Sequence, residues 1–458
     1  MACANTRFHA VGQGCFYSGE IFCAPNSDPL RLVYDCGSET AGDALEREVD
    51  LFHQIIHDAK LDVLVLSHLD ADHVNGLTLL LDNGMTARNV FLPYLTPVQR
   101  AIAAAGAGDE ADPDYFELLA DPVGFLEGRG VENIIFVSGR EDEQERSSEQ
   151  DILPFQPSDE GGNAPNLGDM EDDREGKSHF HQGEESKLPP PSGQLSQGKL
   201  PLGAPQSEGA EDSRPTQKAT LHFKSDRRPF RLTRCWQGKF FHRDDMRLPV
   251  SGVSGALDFT IRSDDSTSVQ RYKRFLADVH GRFGALDPAR LVMAIRNEAD
   301  RKDLRDCYHH IRGNHNDVSL VLWHGPIQAP ALARLESGAH TRGWGWAVES
   351  AVCNGGTLLT GDLTCTNRVV ENMRRHFGNL LTESAILHVP HHGSVPSWND
   401  GLLLSTTPQV MSVICAGRYN SYRHPHPQVR NSLSHTNGGV RWFVSDERNA
   451  VAMRIETT

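Results

Sequence analysis

The stretch SHLDADHVNG, residues 67–76, sets His68, Asp70, Asp72 and His73 into six positions directly after the apolar run LDVLVL. A run that is apolar at every position except Asp62 reads as a strand buried on both faces, and side chains just past the carboxyl end of such a strand are where α/β proteins place their sites. His68 and Asp70 lie two apart and face the same way on extended chain, whereas Asp72 and His73 point elsewhere from the turn. One short loop therefore offers two ligand pairs. Such pairs suit two divalent metals about 3.5–4 Å apart, the arrangement that clamps the attacking and leaving oxygens of a hydrolytic displacement. The competing reading is a solvated turn whose histidines bond the backbone.

Outward from this loop, FHAVGQG and LRLVYDCG alternate short apolar runs with turn signals, and ALEREVDLFHQIIHDA repeats its apolar positions at helical spacing. Strands, a helix and a buried strand make an α/β arrangement. Residues 96–315 are less regular, with helices expected near 97–106 and 268–282 and a strand at ENIIFVSG. From 317 onward, VSLVLWHG, WAVESAV, GTLLTGDL, SAILHVPHHGS, VMSVICAG and VRWFVSDERNAVAMRIE read as strands, with a helix near TNRVVENMRRHFG. Two of these later segments, and a proline-rich stretch between VMSVICAG and VRWFV, carry candidate donors. LLTGDL (358–363) ends in Asp362, one carboxylate suited to bridging two metals; AILHVPHHGS (385–394) ends in His391 and His392, of which one suits a metal and the other a supporting or substrate contact. In YRHPHPQVR (422–430) prolines fix the backbone around His424 and His426, which suits a ligand or a proton donor. Each also has an ordinary reading, as a strand-end turn, a serine cap or a rigid loop.

With 38% hydrophobic and 23% charged residues, the 458-residue chain has the composition of a globular protein. It contains no apolar run of about 18 residues, and its N-terminus lacks the basic start and apolar stretch of a secretory signal, so a cytoplasmic location without a membrane segment is expected. The nine cysteines are scattered singly with no C-x-x-C pair, a spacing that suggests neither a disulfide framework nor a cysteine zinc site. A net charge of −16 would argue against a polyanionic partner, but its distribution matters more. Residues 141–218 hold 18 acidic against 7 basic side chains, leaving 43 against 38 elsewhere. Rich in Pro, Gly, Ser, Gln and acid, that segment is expected to be disordered. It reads either as a solvated linker or as a flexible polyanion mimic that occupies a substrate groove until a protease cuts at Arg146, Lys177, Lys187, Lys199 or Arg214.

Seven motifs occur in one order: VGQG (11–14), YDCG (34–37), SHLDADHVNG, NDVSLVL (316–322), LLTGDL, VPHHGS (389–394) and RHPHP (423–427). In that order they resemble the metallo-β-lactamase superfamily, and within it the hydrolase domain of ComEC-type DNA-uptake proteins. The resemblance implies an αβ/βα four-layer sandwich, with its first half at 1–95 and its second at 315–458. Between them would lie a long insertion with ordered parts at 96–140 and 219–314 around the acidic segment. It implies hydrolysis by a metal-bound hydroxide, with His68 and Asp70 on one metal, Asp72 and His73 on a second, Asp362 bridging, and His391 or His392 completing the second site. His315 and His424 are candidates for the remaining ligand. Where the superfamily's commoner motif has His, Asp70 offers a hard oxygen, shifting preference from zinc toward manganese or magnesium. Cys15 stands where the ComEC pattern has Asp.

The leading expectation is a phosphodiesterase, most specifically a nuclease. The alternatives are a small-molecule ester, lactone or thioester hydrolase, or a non-catalytic scaffold. SDRRPFRLTRCW (225–236) and RYKRF (271–275) interleave Arg/Lys with aromatics, either as a grip on a single strand or as surface with buried aromatics. The motifs do not choose among an anti-phage effector, a competence-related enzyme and a housekeeping phosphodiesterase.

Overall fold

The computed structural model describes residues 2–57, 60–81, 84–95, 97–107, 111–138, 219–225, 228–242, 274, 277–283, 288–308, 319–327, 331–337, 355–408, 410–435 and 441–457. The acidic stretch 141–218, His315, the strand expected at WAVESAV and all of RYKRF except Arg274 lie outside the described residues.

In chain order the strands are β1 (Cys3–Phe8), β2 (Phe16–Phe22), β3 (Leu30–Cys36), β4 (Leu61–Val65), β5 (Ala87–Pro93), β6 (Asn133–Ser138), β7 (Ala219–Lys224), β8 (Phe230–Arg231), β9 (Trp236–Phe241), β10 (Val321–Pro326), β11 (Ala331–Ser337), β12 (Gly356–Leu359), β13 (Ser384–His388), β14 (Met411–Cys415), β15 (Arg441–Ser445) and β16 (Val451–Thr457). They form a nine-stranded sheet, β11-β16-β1-β2-β3-β4-β5-β6-β7, and a seven-stranded one, β15-β14-β13-β12-β10-β9-β8. From β3 to β7 the first sheet is parallel, as is the second from β12 to β15. Parallel strands are covered on both faces, which is why LDVLV is apolar apart from Asp62, whose carboxylate accepts from the Arg31 amide at 2.9 Å and from Arg88 at 3.2 Å. Leu61 and Leu64 of β4 face a core beneath helices, and Val63 and Val65 face the other sheet.

Helix α1 (Ala44–Ile56) turns Val49, Phe52 and Ile56 into that outer core. Their spacings of three and four keep them on one face, and burying a side chain such as Phe52 contributes roughly 1.5–3 kcal/mol. The helices at 97–106, 113–120, 122–128, 288–296 and 298–308 share this layer. Tyr17, Tyr34, Phe91, Phe230, Trp236 and Phe240 fill the space between the sheets. Helices at 367–377 and 427–435 bury Met373, Phe377, Val429 and Leu433 against the outer face of the second sheet. The order of layers is helix, sheet, sheet, helix, an αβ/βα sandwich.

The segments read as insertion supply β6 and β7 to the first sheet and β8 and β9 to the second. This decides between the two readings of SDRRPFRLTRCW in favour of buried aromatics: Phe230 and Trp236 lie in the inter-sheet core and offer no ring face to a nucleic-acid strand. Cys23 and Cys235 form a disulfide with Cα atoms 5.6 Å apart, which corrects the reading of the cysteines. The pair lies 212 residues apart, and only the pairing of distant strands brings it together, so no local spacing announces it. No helix among the described residues is long and apolar enough to cross a membrane.

At one rim the two sheets are joined by backbone. The amide of Leu320 donates to the Ser67 carbonyl at 2.6 Å, and the Tyr34 hydroxyl donates to the Leu320 carbonyl at 2.8 Å. The loops after β4, β12 and β13 meet there.

Candidate metal centre

After β4 the chain continues to Asp70, whose extended backbone precedes the single turn α2 (Ala71–Val74), and α2 carries Asp72 and His73. Asn75 locks this turn to the loop after β3, accepting from the Ser38 amide at 2.9 Å and donating to its carbonyl at 2.7 Å. The loops press so closely that a Cβ on Gly37 would meet the Asp72 carbonyl carbon and the His73 amide at 2.6 Å. At 391 and 392 the backbone is left-handed, with φ of 49° and 54°. For non-glycine residues this costs on the order of 1–3 kcal/mol each, so surrounding structure must hold it. The His391 amide donates to the Gly361 carbonyl at 3.1 Å, and the Ser394 amide to the His391 carbonyl at 2.8 Å. The consequence is that two consecutive imidazoles point into the same cluster.

Four imidazoles share one orientation. His68 Nδ1 lies 2.8 Å from the Ser67 hydroxyl, His73 Nδ1 2.8 Å from Asp35, His391 Nδ1 2.8 Å from the Ser397 hydroxyl, and His392 Nδ1 2.7 Å from the Cys415 carbonyl. A carbonyl and a carboxylate only accept, so Nδ1 carries the proton in His73 and His392. The Ser67 hydroxyl donates to Asp35 at 2.6 Å and therefore accepts from His68. Every Nε2 turns inward. His392 Nε2 lies 3.0 Å from Asp72 and 3.6 Å from Asp362 Oδ1, and His73 Nε2 lies 3.2 Å from that same oxygen. His391 Nε2 lies 3.5 Å from Asp362 Oδ2, and His68 Nε2 3.8 Å from Asp70. Asp362 thus faces different histidines with its two oxygens. Asp72, His73, Asp362 and His392 bring one donor atom each within 4.8 Å of one another.

Burial works against ionising Asp362, yet His391, His392 and His73 hold its carboxyl well below the usual carboxylate range. Asp72 is lowered in the same way, His73 and His392 outweighing burial. His392 itself rises to about 9 despite burial, because Asp362 and Asp72 face it. A buried pocket with this balance favours positive charge, and a divalent cation supplies it where a proton otherwise would. His68 Nε2 and His73 Nε2 are buried without a hydrogen bond. Inward lone pairs backed by bonds at the far nitrogen are how proteins orient metal-binding histidines, so the residues fit a divalent ion. Imidazole and carboxylate suit zinc and manganese.

The comparison with family models agrees with this geometry. Residues 30–94 match the family model of the metallo-beta-lactamase superfamily. The match covers β3 to β5 and therefore the whole loop that holds His68, Asp70, Asp72 and His73. Together with the His/Asp cluster it supports a metal-dependent hydrolase of metallo-β-lactamase type. No curated protein matches the chain.

Of the residues expected from sequence, His68, Asp70, Asp72, His73, Asp362, His391 and His392 all meet at this rim. His424 stands one ring further out: it stacks on His392 at 6.2 Å between centroids and on Tyr422 at 5.6 Å. Burial first, then His392 and His391, lower its imidazole to about 3, leaving it neutral. Sequence reasoning gave no role to Asp35, Ser67, Ser397 or the Cys415 carbonyl. Asp35 alone left a trace, as the strand-end acid of YDCG.

Proposed function

We propose that this chain is a metal-dependent phosphodiesterase, a nuclease of the ComEC-like type, cutting nucleic acid at the rim where the loops after β4, β12 and β13 converge. The observation that carries the reading is the set of four imidazoles with tied Nδ1 and inward Nε2 around three carboxylates. Neutral imidazoles and three carboxylates carry −3, which two divalent ions more than balance. Asp72, His73, Asp362 and His392 would hold one ion, and the donors left for a second are the pair His68 and Asp70, with His391 facing the other oxygen of Asp362. When bound, two such ions polarise a phosphoryl group and supply a nucleophile at neutral pH. The first cluster holds no thiolate, and its hard oxygens favour manganese, magnesium or zinc chemistry at phosphate.

The chain's own residues supply the remaining parts. His392, His424 and Tyr422 form a stacked ladder from the cluster to the surface, on which an unpaired base could continue the stack. Tyr422 is 54% exposed and Tyr419 88%, and exposed Arg418, Arg423 and Arg430 flank them. Neutral His424 would contact the substrate beside the cluster as a hydrogen-bonding and stacking group, with the Gln13 side-chain amide 3.5 Å from its Nδ1. The 141–218 segment, 18 acidic side chains against 7 basic, would compete for this basic and aromatic rim until a protease removes it, as suits an effector held latent, such as an anti-phage one.

The test is incubation of the full chain with Mn²⁺, Zn²⁺ or Mg²⁺ and labelled single-stranded DNA or RNA, beside ester, lactone and thioester substrates, before and after nicking within 141–218. Strand cleavage that rises on nicking supports both parts of the reading. Ester turnover without strand cleavage replaces the nuclease with a small-molecule hydrolase, and cleavage unchanged by nicking reduces the acidic segment to a linker.

A further inference from the structure

Between the sheets lies a second set of donors that the rim does not use. Cys15 precedes β2 in the first sheet, while His388 and Cys415 close the adjacent parallel strands β13 and β14 of the second. The two sulfurs and one ring nitrogen of His388 lie within 4.8 Å of one another. Cys15 and His388 are 0% exposed and Cys415 1%. Donors bound to one ion at about 2.0–2.3 Å stand about 3.3–3.8 Å apart in tetrahedral geometry, so the triangle needs little adjustment to close on a metal.

His388 decides the matter. Neither of its ring nitrogens has a partner in ordinary hydrogen-bond geometry, and the polar group that faces the ring is the Cys415 thiol. A buried imidazole in that condition loses its hydration with little in return, whereas a phenyl ring stacked on Phe8, as His388 is at 5.7 Å, would lose none. Metal coordination by one of those nitrogens removes the deficit.

We propose that Cys15, His388 and Cys415 hold a soft divalent ion, zinc in kind, inside the sandwich. Two thiolates and one neutral imidazole around a dication sum to zero, which is how a dry interior accommodates ionised groups. Thiolate sulfur selects zinc over the manganese or magnesium that oxygen donors prefer. The ion also acts on the rim, a role that rests on the hydrolase reading while the site itself does not. The Cys415 carbonyl accepts from His392 Nδ1 at 2.7 Å, and the Cys15 amide donates to the Asp72 carbonyl at 3.2 Å. Fixing the two cysteines fixes the backbone that aims Asp72 and His392, so Cys15, His388 and Cys415 are positioning residues.

Loading the full chain with cobalt(II) gives a direct readout, because only sulfur donors produce a thiolate-to-cobalt charge-transfer absorption in the near ultraviolet and the rim cluster has none. The expected result is that absorption in the parent and in Asp72→Ala, its loss in Cys15→Ser and Cys415→Ser, and one fewer equivalent of tightly held zinc per chain in both cysteine variants. His388→Phe keeps the stack on Phe8 and should weaken zinc retention at least about tenfold with an unchanged circular-dichroism spectrum, which carries the test if the cysteine variants fail to fold. Equal zinc content in parent, His388→Phe and cysteine variants, or a Cys15–Cys415 disulfide found by mapping non-reduced peptides, overturns the proposal. Loss of the absorption in Asp72→Ala also overturns it, since the sulfurs would then belong to the rim. Absorption retained while no substrate is cleaved leaves the zinc site standing and removes the hydrolase reading instead.

Discussion

His388 and His391 are three residues apart, yet the two donor clusters they serve follow opposite plans. At the rim every imidazole is held from behind, by Asp35, Ser67, Ser397 or the Cys415 carbonyl, and Asp70 and His391 remain partly open to solvent. Inside the sandwich no oxygen or backbone group backs the His388 ring, which is held by its stack on Phe8, and the residue is fully buried. The difference is one of division of labour: a centre that must admit a substrate needs its ligands aimed by the protein, whereas an enclosed set of donors can be organised by the ion it binds.

The strongest way to break this comparison is at the rim itself. Asp72→Ala or His73→Ala should lower strand cleavage roughly 10³-fold or more, since each removes a donor together with part of the metal clamp. Cleavage within tenfold of the parent, by gel assay at saturating Mn²⁺, would deny that the reaction occurs there.

A buried histidine of different type tests the enclosed side. His324 accepts from the Trp236 indole at 3.1 Å and faces the Tyr17 hydroxyl at 2.9 Å, and burial lowers its imidazole to about 3. Its folded pKa lies below the unfolded value of about 6.5. Its contribution is therefore complete above pH 6.5, shrinks as pH falls and is exhausted near pH 3. By pH 4 the loss should reach about 3 kcal/mol. Urea titrations of the parent and His324→Gln across that range should show the parent losing more, and parallel curves would remove His324 as the acid-sensitive group.

Asp35→Asn sharpens the contrast by loosening one imidazole without removing a donor. Metal affinity should fall about 10–100-fold, with His73 free to turn, and Mn²⁺ titration of activity would reveal it as a shifted midpoint. The smallest effect is expected from Cys415→Ser. His392 leans on the carbonyl at 415, which the substitution keeps, so turnover should change by less than roughly tenfold while zinc content drops. Abolished turnover in a folded variant would show that the two clusters work as one.

The rim was legible in the sequence because its donors sit on loops at the ends of apolar strands, where both the burial and the polar punctuation are local signals. The α/β class followed from the same runs, and the αβ/βα layering from the resemblance that the ordered motifs carry. Hidden were the groups whose part is played by backbone, such as the Cys415 carbonyl, since a carbonyl has no residue identity to notice. Also hidden was His388, because a single histidine at the end of SAILH looks like core until the sheet of β13 and β14 is stacked on the one that carries Cys15. The aromatics of 225–236 left two readings open for a related reason: alternating Arg and ring residues describe a strand with one face in water as well as a nucleic-acid grip, and it is the hairpin of β8 and β9 that turns the rings inward.

The Leu320–Ser67 bond between the sheets has a bearing on how such a molecule can vary. Because the stitch is made by an amide and a carbonyl, side-chain replacement at either position leaves it in place, and only a proline at 320 would delete it. The side chain at 320 can therefore vary while the two halves of the mouth stay in register, whereas Ser67, whose hydroxyl also bonds Asp35 and His68, cannot change as freely.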